Sequence, residues 1–316
     1  MIRILNTSFN FAPQAKPILE SLGAVEYRSP THAELVKLVP NYDVLFVGLG
    51  LRIDRAVLDA GKRVRFIVTG TTGLDHIDTA YAKERGIEVL SLRGENEFLD
   101  TITGTAELAW GLVIALLRQF PNAFDDVKQG RWRRNAYPGH NLYGQTLGVV
   151  GLGRLGKMTA RFGRAFGMQT IYTDPAVPAG TFPEYENVSF DELLRKSDVI
   201  SIHVHLSKET EHMFDEQAFA KMKEGAILVN TSRGKIVDEA ACLAALESGR
   251  LGGYGADVLA DELSFKEGTK IPKRHPLVSY AASHGNAIIL PHIGGNTIES
   301  RQATDVFMSK KLATAL

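Results

Sequence analysis

Cysteine is almost missing from this 316-residue chain: Cys242 stands alone, so no internal disulfide can form. Set in the helical segment DEAACLAALESG (238–249), it reads as a small buried apolar residue. Net charge is missing too, because 36 Lys and Arg balance 36 Asp and Glu, and no field draws the chain to nucleic acid or an anionic membrane. The longest apolar stretch, around Ala106 to Leu117, carries Glu107 and is too short to span a bilayer. The opening residues, MIRILNTSF, read as a strand and lack the apolar core and cleavage site of a secretory signal. Neither a fixed-period repeat nor a low-complexity tract is present. These absences argue for a cytoplasmic protein with a small-molecule partner and against nucleic acid or membrane.

What is present in quantity is apolar sequence, 44% of residues, in a chain long enough for two domains with separate cores. The most informative stretch is TLGVVGLGRLGKMTARFGRAFGMQTIYTD (146–174), which reads as strand, turn, helix, strand. Each glycine has a mechanical use: Gly151 for the tight turn, Gly153 for close approach of backbone to a pyrophosphate, Gly156 for close packing of helix on strand. The N–H groups around Arg154 and Leu155 then face the phosphates at a helix N-terminus. Asp174 is placed to accept hydrogen bonds from the adenosine ribose, and its charge repels a 2′-phosphate, so NAD is expected rather than NADP.

Residues 1 to about 98 alternate apolar runs (IRIL, DVLFVG, VRFIVTG, GIEVLSL) with amphipathic segments, the pattern of a parallel sheet flanked by helices. After VRFIVTG comes the polar loop TGTTGLDHID (69–78), at a strand end where open α/β sheets bind ligands; Asp75 or Asp78 can also cap the next helix there. From Thr146 six further strands alternate with helices, ending in AIILPH (287–292). The final amphipathic segment is expected to return to the first domain. The fold class is therefore α/β, with two doubly wound parallel-sheet domains. A Rossmann NAD-binding domain (99–292) is inserted in a discontinuous, flavodoxin-like substrate domain (1–98 and 293–316), with the active site expected in the cleft. The segment 101–119 reads as a helix apolar on most faces, which suits burial between domains or subunits and suggests a homodimer.

Three late strand ends carry polar groups: NTSRG with Arg233, ADVLADE with Asp257 and Glu262, and LPHIGG with His292. Singly these read as an ion-pair partner, a solvated acid and a capped strand end. Together beside a nicotinamide they form a usable set. Arg offers a planar fork to a carboxylate, His exchanges a proton near neutral pH, and the carboxylate favours the protonated imidazole.

The motifs GLGRLG…TDP, DVISIHV…ET, VNTSRGKIVDEAAC and LPHIGG resemble, in order and spacing, the D-isomer-specific 2-hydroxyacid dehydrogenases, a family that includes phosphoglycerate, glycerate and D-lactate dehydrogenases. The resemblance implies an NAD-dependent oxidoreductase interconverting a D-2-hydroxy acid and its 2-keto acid. In it Arg233 binds the substrate carboxylate and keto oxygen, His292 is the general acid and base, and Glu262 is its partner. Thr231 and Asp257 approach the nicotinamide side, Thr72, Thr105 and Thr210 are further cofactor contacts, and the backbone at Thr72 and Gly73 holds the substrate carboxylate. Departures from the family pattern are His205 where Pro is common, the loop LSFKEGTKIPKRHPL after Glu262, and Gly48 where phosphoglycerate enzymes tend to carry Arg. Arg52 and Arg93 on first-domain loops could meet a second anionic group. His203 and His205 alternate along a strand, but with no further ligands nearby no metal is expected. Rival readings are an NAD(H)-sensing corepressor-like binding protein, a formate dehydrogenase, in which Gln replaces the Glu partner, and a phosphite dehydrogenase.

Overall fold

The computed structural model describes all residues except Phe9, Ala179, Leu263, Ser264 and 266–274. The chain divides into two compact units, Met1–Ile102 with Asn296–Leu316, and Thr103–Phe265 with the described residues up to Gly295. The boundaries fall a few residues beyond 98 and 292 for local reasons. Phe98 and Leu99 pack into the first core, while Ile293 and Gly294 are tied by their N–H groups to Asp257 of the second unit.

In the first unit the elements run β1 (Arg3–Asn6), α1 (Lys16–Glu20), β2 (Ala24–Tyr27), α2 (His32–Leu38), β3 (Val44–Val47), α3 (Arg55–Ala60), β4 (Phe66–Thr69), α4 (Thr79–Glu84), β5 (Glu88–Leu90) and α5 (Asn96–Leu99). The strands form one parallel sheet in the order β2-β1-β3-β4-β5. Strand β3, VLFV, is buried along its whole length, as expected of a parallel strand covered on both faces. Side-chain alternation then divides the core. Ile4, Phe46, Val68 and Leu90 face one layer, with Met308 and Leu312 of the C-terminal helix Ile298–Ala315. Leu5, Leu45 and Ile67 face the other, with Leu35, Val57 and Leu58. Complete burial of Met308 and Leu312 contributes about 3–6 kcal/mol on transfer grounds. Strand β2, AVEY, escapes the hydrophobic pattern because it is an edge strand with half-exposed side chains. Asp78 does cap α4, accepting from the Tyr81 N–H at 3.0 Å.

The second unit runs α6 (Gly104–Leu117), α7 (Phe120–Lys128), β6 (Thr146–Val150), α8 (Arg154–Ala165), β7 (Gln169–Thr173), β8 (Glu186–Asn187), α9 (Phe190–Lys196), β9 (Val199–Ile202), α10 (Glu216–Lys221), β10 (Ala226–Asn230), α11 (Glu239–Glu247), β11 (Leu251–Ala256), α12 (Pro276–Ala281) and β12 (Ala287–Ile289). Among the described residues seven strands, not six, form the parallel sheet β12-β11-β10-β9-β6-β7-β8. The additional one, β8, is two exposed residues at the edge, too short to carry a pattern. The order reverses between β6 and β9, and that switch point opens a crevice at the carboxyl ends of the strands. Cys242 is fully buried in this unit's core.

Helix α6 packs much of its apolar surface within its own unit: Leu112 and Leu116 lie over β11, where a Cβ on Gly253 or Gly255 would come within 3.2 and 3.0 Å of their side chains, while Leu108, Ile114 and Ala115 stay partly exposed. Trp110 donates its indole N–H to the Thr159 carbonyl at 3.2 Å. By length and hydropathy alone, 96–117 could cross a membrane, but it divides into α5 and α6, and α6 buries Ala109, Trp110, Leu112 and Val113 in a packed core.

Candidate active site

The glycine turn leaves β6 at Gly151, whose φ of +90° suits only glycine. A Cβ there would also lie 2.8 Å from the His203 carbonyl oxygen. A Cβ on Gly156 would sit 2.0 Å from the Gly151 carbonyl oxygen, so helix and turn are in direct backbone contact. Gly153 differs: its backbone is extended, and nothing lies within 4 Å of where its Cβ would be. That open space faces the start of α8, a twelve-residue helix whose cap residue, Gly153, has no side chain to satisfy the first N–H groups. Arg154 and Leu155 form its first turn. Asp174, just past β7, accepts from the N–H of Leu152 at 2.7 Å and of Ala176 at 2.9 Å. Its carboxylate braces the glycine turn, and each oxygen keeps a further lone pair.

Two buried polar atoms at the ends of neighbouring strands have no partner among the described residues, Thr231 Oγ1 and His203 Nδ1. The open cradle at Gly153, the uncapped helix start and these orphaned atoms fit a dinucleotide lying across the switch point. His203 does not share a strand face with His205: β9 ends at Ile202, His203 turns inward to Ser201 Oγ at 2.9 Å, and His205 is exposed. Burial lowers the His203 imidazole to about 4, so it is neutral at physiological pH. No group of three or more His, Cys, Asp or Glu among the described residues could hold a metal ion. The Thr210 hydroxyl closes its own turn, accepting from the Ser207 N–H at 2.8 Å and donating to the His205 carbonyl at 2.7 Å. Thr105, at the start of α6, stands against Gly294, where a Cβ would lie 3.2 Å from its methyl group.

At the tips of β11 and β12 the structure joins His292 to Glu262, Nδ1 to Oε1, at 2.7 Å. Both side chains are roughly three-quarters buried, 28% and 22% exposed. His292 has φ +54°, a left-handed conformation uncommon for a residue with a Cβ. Asp257 holds it there: its two carboxylate oxygens accept the N–H groups of Ile293 and Gly294, each at 2.7 Å. Burial raises the Asp257 carboxyl above its usual range, opposed by those N–H bonds and by the nearby His292. Glu262 is braced by the Leu259 N–H on its other oxygen, at 3.2 Å.

Arg233 follows β10, and its guanidinium donates to the Ser232 carbonyl at 2.7 Å. Its turn is held by buried Asn230, which accepts from the Ser232 N–H at 3.0 Å and donates to the Arg233 carbonyl at 2.9 Å. A Cβ on Gly234 would lie 2.0 Å from the Leu259 carbonyl carbon, so this turn rests on the backbone segment that leads to Glu262. Asn230 and Gly234 were both within the NTSRG motif, yet only Thr231 and Arg233 were read from it. Their contribution depends on contacts with segments distant in sequence. Thr72 and Gly73 belong to the other unit. There the Thr71 hydroxyl donates to the Gly73 carbonyl at 2.7 Å and the Leu92 N–H donates to the Thr71 carbonyl at 3.1 Å, which shapes the loop after β4. Of the long loop after Glu262, only Phe265 and His275 onward are among the described residues.

Residues 110–294 match the family profile described as D-isomer specific 2-hydroxyacid dehydrogenase, NAD binding domain. Hydroxypyruvate reductase of Thermotoga maritima is 36% identical over 279 residues, covering 88% of this chain and 86% of the relative. D-3-phosphoglycerate dehydrogenase of Methanocaldococcus jannaschii is 33% identical over the whole chain, which spans 58% of that longer protein. Among solved structures, D-lactate dehydrogenase of Aquifex aeolicus, complexed with NAD and lactic acid, superposes with a TM-score of 0.86 at 28% identity, covering 99% of this chain and 95% of that one.

Proposed function

Because the chain belongs to the D-isomer specific 2-hydroxyacid dehydrogenase family, and is an NAD-dependent oxidoreductase of CH–OH donors, we propose that it interconverts a small 2-keto acid and its D-2-hydroxy acid with His292 as general acid and base. The observation that carries this reading is the 2.7 Å contact between His292 Nδ1 and Glu262. It occupies one ring nitrogen and leaves Nε2 for the substrate oxygen. The Glu262 carboxylate beside the ring stabilises the imidazolium, the form that donates a proton to a carbonyl being reduced. Arg233 binds the substrate carboxylate and draws charge from the keto oxygen, and the backbone at Thr72 and Gly73 holds the same carboxylate.

NAD(H), when bound, accepts or supplies the hydride. The turn at Gly151, Gly153 and Gly156, with the N–H groups at Arg154 and Leu155, takes its pyrophosphate, and Asp174 takes the adenosine ribose. Thr231 and Asp257 border the nicotinamide side, and Thr72, Thr105 and Thr210 line the remainder. Names of relatives point to glyoxylate and hydroxypyruvate as substrates. A panel of glyoxylate, hydroxypyruvate, pyruvate and phosphohydroxypyruvate, each with NADH, tests this. Turnover of at least one is expected. Silence across the panel, with NAD reduced by formate or phosphite instead, overturns it.

The reading includes a cytoplasmic homodimer. Beside the partly exposed residues of α6, α7 and the loop after it offer apolar surface to a second copy: Phe124, Val127 and Trp132 are 59%, 56% and 80% exposed. Buried Asp126 binds Arg131, Arg133 and Tyr137 and so fixes the loop that presents Trp132. Light scattering on Trp132→Glu should give a monomer, and an unchanged mass would remove this surface from consideration.

A further inference from the structure

A second glutamate–histidine pair lies behind the one that faces the substrate. Glu239, first residue of α11, pairs through Oε2 with His275 Nε2 at 3.2 Å, and its Oε1 accepts the N–H of Ala260 at 2.9 Å. Ala260 opens the short turn that carries Glu262. Phe265 adds two contacts: its N–H donates to the Glu262 carbonyl at 3.0 Å, and its ring meets the His275 ring edge-on at 6.1 Å between centroids. His275 and Glu239 are only 11% and 21% exposed, and His275 Nδ1 is buried without a partner among the described residues. Ala260 and Phe265, on either side of Glu262, therefore both rest on this largely buried Glu239–His275 pair.

We propose that Glu239 and His275 are positioning residues that set the reach of Glu262 to His292. The proposal builds on the acid–base reading of Glu262 and His292. A carboxylate 2.7 Å from an imidazole nitrogen makes a strong charge-assisted bond, and that bond weakens steeply once the carboxylate can drift. Within the turn the carboxylate has the Leu259 N–H on its other oxygen, at 3.2 Å a longer contact than the one to His292. Of the other groups near the two pairs, Asp238 caps α11 through the N–H groups of Ala240 and Ala241. Cys242 and Tyr254 are buried, with their protons held more tightly than usual. Asp257 faces both His292 and Glu262. None of them contacts Ala260 or Phe265 by a hydrogen bond given among the described residues.

The test compares Glu239→Ala, Glu239→Gln and His275→Gln in the full-length protein. Glu239→Ala should lower the rate of keto-acid reduction by about tenfold to a hundredfold, the upper figure being the cost of a 1 Å misplacement, leave the KM for NADH unchanged, and move the high-pH limb of the rate to lower pH. Glu239→Gln keeps an acceptor for the Ala260 N–H and should recover most of the rate. Ring resonances of His292, assigned by their loss in His292→Ala, give a readout without turnover: they should shift in Glu239→Ala, because the ring loses its 2.7 Å partner. Unmoved resonances, or a loss of melting temperature with an unmoved pH limb, overturn the proposal and leave the pair a structural one. If Glu239→Ala does not fold, the resonances in His275→Gln decide. If His292→Ala retains full turnover, the acid–base reading fails, while the resonances still report whether the outer pair controls the Glu262–His292 contact.

Discussion

The glycine turn after β6 and the His292–Glu262 cluster at the tips of β11 and β12 lie on the same sheet, yet they are built in opposite ways. At the turn the backbone does the work. Gly151 and Gly156 are defined by what a side chain would obstruct, Gly153 by the open space beside it, and three positions within six residues settle the geometry. At the strand tips the side chains do the work, and each is held by a residue remote in sequence: His292 by Asp257 and Glu262, the Arg233 turn by Asn230 and Gly234. A site made of backbone is compact in sequence, whereas a site made of side chains needs the fold to assemble it.

The strongest test of that contrast is His292→Ala, which should lower turnover by about 100-fold or more, the range for a lost general acid or base, while NADH binding measured by fluorescence stays close to wild type. A near-normal steady-state rate would remove His292 from the mechanism. Gly156→Ala acts on the other side. With the new methyl group 2.0 Å from a backbone oxygen, stability should fall by roughly 1–3 kcal/mol and NADH affinity with it; a melting curve that overlays wild type would show the helix–turn contact is looser than described.

His203 sharpens the comparison through pH. Its folded imidazole protonates near 4, against 6.5 when exposed, so between those values the unfolded chain takes up a proton that the folded chain does not. Stability associated with this group is present above about 6.5 and is lost as pH falls toward 4, roughly 2 kcal/mol by pH 5 at one pKa unit per 1.36 kcal/mol. In His203→Asn the drop in melting temperature between pH 7.5 and 5 should be smaller than in wild type, and equal drops would contradict it. The smallest expected effect on the fold is that of Gly153→Ala. Its Cβ meets nothing, so the melting temperature should hold while the Kd for NADH rises about tenfold, or 1.4 kcal/mol. Unchanged affinity would mean that the pyrophosphate does not approach this backbone.

Much of the fold could be read in advance where burial writes a pattern. Strands such as VLFV and AILVN are apolar throughout because both faces of a parallel sheet are covered. The two strands that were missed, β2 and β8, are edge elements with exposed residues, so no burial marks them. The apolar 101–119 segment was visible but its partner was not, since hydrophobicity is non-directional and identifies a buried helix without saying what buries it. His203 and His205 were misread for a related reason: period-2 alternation holds only while the strand lasts, and β9 stops at Ile202.

From the sequence alone came the parallel α/β class, the glycine turn and the types of residue able to bind a carboxylate and move a proton, because local backbone sterics and hydrophobic periodicity are properties of short stretches. The family resemblance had already named Glu262 as the partner of His292; the tertiary structure added their 2.7 Å contact, and it alone decided that Asp257 holds the left-handed backbone at His292 by receiving the next two N–H groups, and that Glu239 and His275 stand behind Glu262. Hydrogen bonds between residues tens of positions apart leave no periodic trace in the chain, and they form only when neighbouring strands end at one edge of a sheet.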